Sequence, residues 1–123
     1  MVTTDEDEAL QGQQRKFQKE LNAGIVSLVL LSIMAAAREP LYGYQIAKQL
    51  EQAAIMKQGT LYPVLRSLCA AGLLDSKVEP SISGPPRRYY QITEAGQTVL
   101  AQWKNAWDNT RDFVDSIIKG QQP

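Results

Sequence analysis

The chain has 123 residues, the size of one domain or of one domain with an extension, and its 44% hydrophobic content is sufficient for a core. It has no histidine and one cysteine, with no Gly-rich phosphate loop and no cluster of metal-ligating residues, so the common enzyme sites are missing and no cofactor is expected. The formal charge of zero hides an uneven distribution: Asp5 to Glu8 is an acidic run, whereas between Arg38 and Thr93 seven basic residues stand against four acidic ones, a local +3.

The N-terminus is acidic rather than basic, so no secretory leader is expected, and a lone Cys69 within an apolar helical pattern reads as a buried thiol in a cytoplasmic protein. Residues 1–8, polar and acidic, are expected to be a disordered tail. Residues 9–22 hold Leu10, Phe17 and Leu21 among Gln, Lys and Arg, a narrow helical stripe that needs a partner surface because short isolated helices are marginal in water. The apolar run 24–37 contains Ser27 and Ser32, is too short to cross a membrane, and predicts a first core helix buried nearly all round. Glu39-Pro40 ends it, because the residue before a proline avoids helical geometry.

A second helix is predicted from about Tyr42 to Ala53, with Ile46 and Leu50 at helical spacing, followed by a turn through Ile55–Lys57. The third helix runs to about Ala71, with Gly72 as its stop. Its dry face is Leu61, Val64, Leu65 and Leu68; its wet face is Gln58, Tyr62 and Arg66, spaced four apart. Pro63 is tolerated in a first helical turn, which sets the start near Gly59 or Thr60. Residues 73–79 alternate as a strand, 80–86 form a turn-rich loop, and 87–92 are a second strand rich in aromatic and β-branched residues.

Thr93 caps a last helix that extends to about Ile118, roughly 39 Å long at 1.5 Å per residue. Leu100, Trp103, Trp107, Thr110, Val114 and Ile117 are spaced 3, 4, 3, 4 and 3, the a/d seam of a coiled coil. So small a chain offers little core along such a length, so the seam predicts a partner, most simply a second copy; the alternative is packing on the chain's own residues 9–22.

The predicted fold is therefore mainly α: a winged helix-turn-helix of three helices and a two-stranded hairpin wing, with a long C-terminal dimerisation helix and a short N-terminal helix. In residue terms it divides into the tail 1–8, the N-terminal helix 9–22, the winged helix 23–92 and the dimerisation helix 93–120. In such a fold the second helix of the helix-turn-helix enters the major groove of double-stranded DNA and reads base edges near its N-terminus. Those positions are Lys57, Gln58, Gly59, Thr60 and Tyr62: Gln pairs with adenine, Lys approaches guanine, and Gly59 lets the backbone come close. Arg66 lies one turn on, at phosphate distance; Tyr42 and Lys48 belong to the helix that crosses the backbone, and Arg87 and Arg88 flank the wing tip. Each has a plainer reading. Tyr62 could be a core tyrosine, Lys48 a solvated cation and Arg88 a partner of Glu94, while strand alternation places Arg87 and Arg88, like Tyr89 and Tyr90, on opposite faces.

Four blocks of the chain carry a further signal: Tyr42-Gly43-Tyr44-Gln45-Ile46, Gly59-Thr60-Leu61-Tyr62-Pro63-Val64-Leu65, Ala71-Gly72-Leu73, and Arg87-Arg88-Tyr89-Tyr90-Gln91-Ile92-Thr93-Glu94-Ala95-Gly96. In this order and spacing, over about residues 24–100, the sequence resembles the PadR family of bacterial transcriptional regulators. The resemblance implies a homodimeric repressor, held together mainly by the C-terminal helix. It also implies that the N-terminal helix joins that interface, which would engage Phe17 and Leu21. Such a dimer is expected to prefer a palindromic operator. Trp103 and Trp107, one turn apart on the seam, could line an apolar cavity at the dimer interface for a small aromatic effector, or simply fill the dimer core. The rival reading is a winged helix used only for protein–protein contact, with the acidic tail as a docking peptide.

Overall fold

The structure, a computed structural model, describes residues 4–52 and 58–120. The expected turn through Ile55–Lys57 and residues 1–3 of the acidic tail lie outside the described residues. Thr4 starts the first helix: its hydroxyl accepts from the Asp7 amide at 3.1 Å, while the Asp7 carboxylate accepts from the Thr4 amide at 3.4 Å. This reciprocal capping box satisfies two amides that a helix start leaves open, and Asp5, Glu6, Asp7 and Glu8 fill the first turn, where carboxylates meet the positive end of the helix dipole. Helix α1 consequently spans Asp5–Ala36, 32 residues. Two expectations are corrected here. Residues 5–8 are a helix start rather than disordered tail, and the two helices expected over 9–22 and 24–37 are one, because Gly24 weakens a helix without breaking it.

The C-terminal half of α1 buries Val26, Leu30, Leu31 and Met34, whereas Ile25, Leu28, Val29 and Ile33 are only half-buried. The all-round burial expected of this stretch is thus only partial. Length and composition alone would let α1 cross a membrane, but in this fold its apolar half supplies a core face.

Strand β1 (Leu41–Tyr42) and helix α2 (Gly43–Gln52) follow, then helix α3 (Gln58–Ala70), strands β2 (Leu74–Ser81) and β3 (Gly84–Ile92), and helix α4 (Glu94–Ile118). The three strands form one antiparallel sheet in the order β1-β3-β2. Tyr42, expected at the start of α2, instead pairs with Tyr89 across β3, so the wing gains a third strand at its base. β2 and β3 continue through the expected loop 80–86 and leave only Ile82 and Ser83 at the tip; the register shifts at Glu79/Ser81, beside Pro80, which has no amide to give the ladder.

On α3, Leu61, Leu65 and Leu68 are buried and Val64 packs against them, as the dry face requires. The described part of the helix starts at Gln58, so Pro63 lies beyond its first turn rather than within it as proline tolerance suggested. Its end is a Schellman motif: the Leu73 amide donates to the Leu68 carbonyl and the Gly72 amide to the Cys69 carbonyl, both at 3.0 Å, with Gly72 at φ 78°. The Thr93 hydroxyl then accepts from the Gly96 amide at 2.9 Å and donates to the Gly72 carbonyl at 2.7 Å, tying the start of α4 to the end of α3. A Cβ at Gly96 would strike the Leu73 carbonyl oxygen, so this close crossing needs glycine.

Helix α4 ends at Ile118 as the periodicity predicts. Leu100, read from the seam as an interface residue, is only 2% exposed and belongs to the chain's own core, and Trp103 is half-buried against that core. From Trp107 onward the seam opens: Thr110 is exposed, Val114 is 43% and Ile117 55% exposed. Phe17 and Leu21 of α1 are exposed as well, at 58% and 41%. The two stripes therefore do not cover one another within the chain.

Candidate nucleic-acid interface

The wet face of α3 presents Gly59, Thr60, Tyr62, Pro63 and Arg66 to solvent; Lys57 and the Gln58 side chain lie outside the described residues. Tyr62 has two roles at once. A Cβ built on Gly43 would lie 2.5 Å from the Tyr62 hydroxyl and 2.8 Å from its Cε1, so the ring lies flush on the backbone where α2 begins. Yet 38% of Tyr62 remains exposed. The ring thus spaces α3 from α2 while its free edge faces out, between the core-tyrosine and the contact readings. Gly43, which makes this possible, was not singled out from the sequence; a glycine between two tyrosines at a helix start is the signal that could have found it.

From Gly43 the contacts continue into the wing. Tyr42 meets the Tyr89 ring edge-on at 5.6 Å between centroids and stacks with Tyr44 at 6.4 Å. The Arg87 guanidinium sits 4.5 Å above the Tyr42 ring, and the Lys48 ammonium 5.4 Å from the Tyr44 ring. Aromatic faces attract cations through the ring quadrupole, so both cations rest on tyrosine platforms and their charges remain exposed. The Gln45 side chain accepts from the Tyr42 amide at 3.0 Å and fixes the strand-to-helix corner under these rings. Tyr42, Lys48 and Arg87 therefore form one patch, to which Tyr44 and Tyr89, absent from the sequence-derived set, contribute the middle.

Arg88 points the other way. Strand alternation puts it on the face of Tyr90, which is buried, and its guanidinium donates to the Ser76 hydroxyl at 3.0 Å rather than pairing with Glu94. It braces β3 on β2. Desolvation pushes the nearby Tyr90 hydroxyl and the Cys69 thiol above their ordinary pKa values, although Cys69 is half-buried rather than buried as its apolar pattern suggested. Arg66 is exposed on α3, one turn beyond Tyr62.

The tryptophans separate. Trp107 and Lys104 of α4 line an open groove of about 510 Å³ against Ile25, Leu28 and Val29 of α1, with Gln49 of α2 at one side, whereas Trp103 turns to the core and is not part of the lining. The expected pair of rings in one cavity is thus a single ring within the chain.

Residues 30–102 match the Transcriptional regulator PadR-like family. Among solved structures, the chain is similar to a PadR family transcriptional regulator from Eggerthella lenta, at 33% identity, covering 90% of this chain and 96% of that one with a TM-score of 0.80. It is also similar to a PadR-like transcriptional regulator from Bacillus cereus (26% identity, 83% and 99% covered, TM-score 0.71). A PadR family transcription regulator from Clostridium difficile gives 27% identity, 76% and 98% coverage and a TM-score of 0.67. No functionally curated protein matches the chain.

Proposed function

The chain belongs to the PadR-like family of transcriptional regulators, and on that premise we propose that it acts in the cytoplasm as a homodimeric, sequence-specific repressor without catalytic activity. The observation that carries the reading is the unbroken contact path from Tyr62 on α3, through Gly43 and Tyr42, to Arg87 on the wing. It fixes a candidate recognition helix and a cationic wing strand relative to one another, as a reader of one groove and its flanking phosphates requires. Thr60, Tyr62 and the start of α3, with Lys57 and Gln58, read bases; Arg66, Lys48 and Arg87 neutralise phosphates; Arg88 supports the wing.

The second copy docks on the open seam of α4, at Trp107, Thr110, Val114 and Ile117, together with Phe17 and Leu21 of α1, which the chain itself leaves uncovered. Two-fold symmetry then presents two copies of α3 to a palindromic operator. The groove beside Trp107 is the place for a small aromatic effector, whose binding next to the dimer seam would change the spacing of the two α3 helices.

The test is titration of an operator, selected from random DNA, at two salt concentrations. With roughly six phosphate contacts in the dimer, affinity should fall by about 10³-fold between 50 and 200 mM salt. Absent or salt-insensitive binding would favour the alternative, a winged helix that contacts only proteins.

A further inference from the structure

Among the described residues, nothing in the packing around Gly59 calls for a glycine. At Gly43 and Gly96 a Cβ would collide with Tyr62 or with the Leu73 carbonyl, and Gly72 has a positive φ that favours glycine. Gly59 has neither reason: its φ lies outside the left-handed region, and among the described residues a Cβ there would meet nothing within 4 Å. Gly24 in α1 is equally open, but Gly59 differs in lying on the exposed face of α3 beside Tyr62 and Pro63, where alanine would suit a helix better.

A second feature falls on the same residue. In an α-helix the carbonyl of residue 59 accepts from the amide of residue 63. Here that residue is Pro63, inside α3, and proline has no amide hydrogen. The Gly59 carbonyl thus lacks its i+4 helical donor on a face where Gly59, Tyr62, Pro63 and Arg66 are all exposed. A polar backbone group in that position needs a partner from solvent or from a ligand.

We propose that the Gly59 carbonyl is a base-reading acceptor. This rests on the reading of α3 as the recognition helix. With α3 in the major groove, the carbonyl accepts a hydrogen bond from the exocyclic amino group of adenine (N6) or cytosine (N4), the amino groups that base edges display there. Guanine and thymine offer only acceptors at those edges, so the carbonyl rejects them. The absent Cβ gives the base edge room to come within hydrogen-bond distance, and Pro63 withholds the i+4 amide that would otherwise compete for the carbonyl.

Gly59→Ala and Pro63→Ala both favour helix, so loss of binding in either is not a folding failure, and thermal melting verifies this. From an operator selected by the wild-type protein, each adenine is replaced in turn by purine and each cytosine by 2-pyrimidinone, which lack the amino group. Comparing wild type with Pro63→Ala on each pair of operators cancels the weaker base pairing of the analogue. At one position per half-site the wild type should lose roughly 3- to 10-fold in affinity, the worth of a single neutral hydrogen bond. Pro63→Ala, which supplies the missing amide, should lose less there, and Gly59→Ala should bind the operator more weakly while binding random DNA at low salt as the wild type does. The inference is overturned if no position responds to amino removal, or if Pro63→Ala responds as the wild type does. If the wild-type protein selects no sequence from random DNA, the recognition-helix reading itself fails, and this inference with it.

Discussion

Helices α3 and α4 carry similar apolar periodicity, and the fold treats them differently. The dry face of α3 closes against α1 and the sheet: Leu61 and Leu65 are fully buried and Leu68 nearly so. The seam of α4 closes fully at Leu100 and partly at Trp103, and then runs out into solvent through Val114 and Ile117. The difference teaches that a periodic apolar stripe states that a surface is to be covered, without stating by what. Core volume decides that. The described core gathers around the C-terminal half of α1, α2, α3 and the base of the wing, and a helix of 25 residues projects past it.

The sharpest way to break the comparison is to truncate one side chain on each helix. Leu65→Ala should lower unfolding free energy by about 2–5 kcal/mol, as for a fully buried leucine. Ile117→Ala should change the dilute protein by less than about 0.5 kcal/mol, yet raise the monomer fraction in sedimentation at higher concentration. Equal destabilisation of the dilute protein would mean that the end of α4 has a partner in its own chain.

Next in size is the contact that holds α3 off α2. Gly43→Ala should cost about 1–3 kcal/mol by overpacking against Tyr62. A Tyr62→Ala background should remove most of that cost in a double-mutant cycle, whereas additivity would show that Tyr62 does not rest on Gly43. Thr93→Ala should cost about 1 kcal/mol in denaturant melts through the lost cap on α4, with the link to the Gly72 carbonyl lost as well. The smallest effect belongs to the wing. Tyr42→Leu removes the platform under Arg87, a contact of about 0.5–1 kcal/mol, so operator affinity should fall roughly two- to fivefold with little change in melting. A fall larger than that of Arg87→Ala would show Tyr42 acting on more than Arg87.

Much of the fold was legible because its signals are local. The Thr93 cap, the Gly72 stop, the Leu61–Leu68 dry face and the end of α4 each depend on residues within a turn or two of one another. The misread elements depend on more than a composition rule. Residues 5–8 looked disordered by charge, but those charges sit at a helix end that stabilises them. Tyr42 looked helical beside Ile46, but its backbone is claimed by Tyr89, 47 positions further along the chain. Of the candidate interface, the residues on α3 were legible as a wet face. The Tyr44–Tyr42–Tyr89 platform was not, since it joins β1, α2 and β3, and no spacing along the chain relates Arg87 to Tyr42.

By itself, then, the sequence determined the kinds of element and their order, because helical and strand periodicity, caps and stops act over a few residues. Tertiary structure alone decided which apolar stripes are spent inside the chain and which stay open. It also decided which arginine of the Arg87-Arg88 pair joins the tyrosine patch and which bonds Ser76 on β2, and which tryptophan of the pair lines a groove. Those outcomes turn on where distant backbones cross, as at Gly43 under Tyr62 and Gly96 under Leu73, where the absence of a single Cβ sets how closely two elements approach.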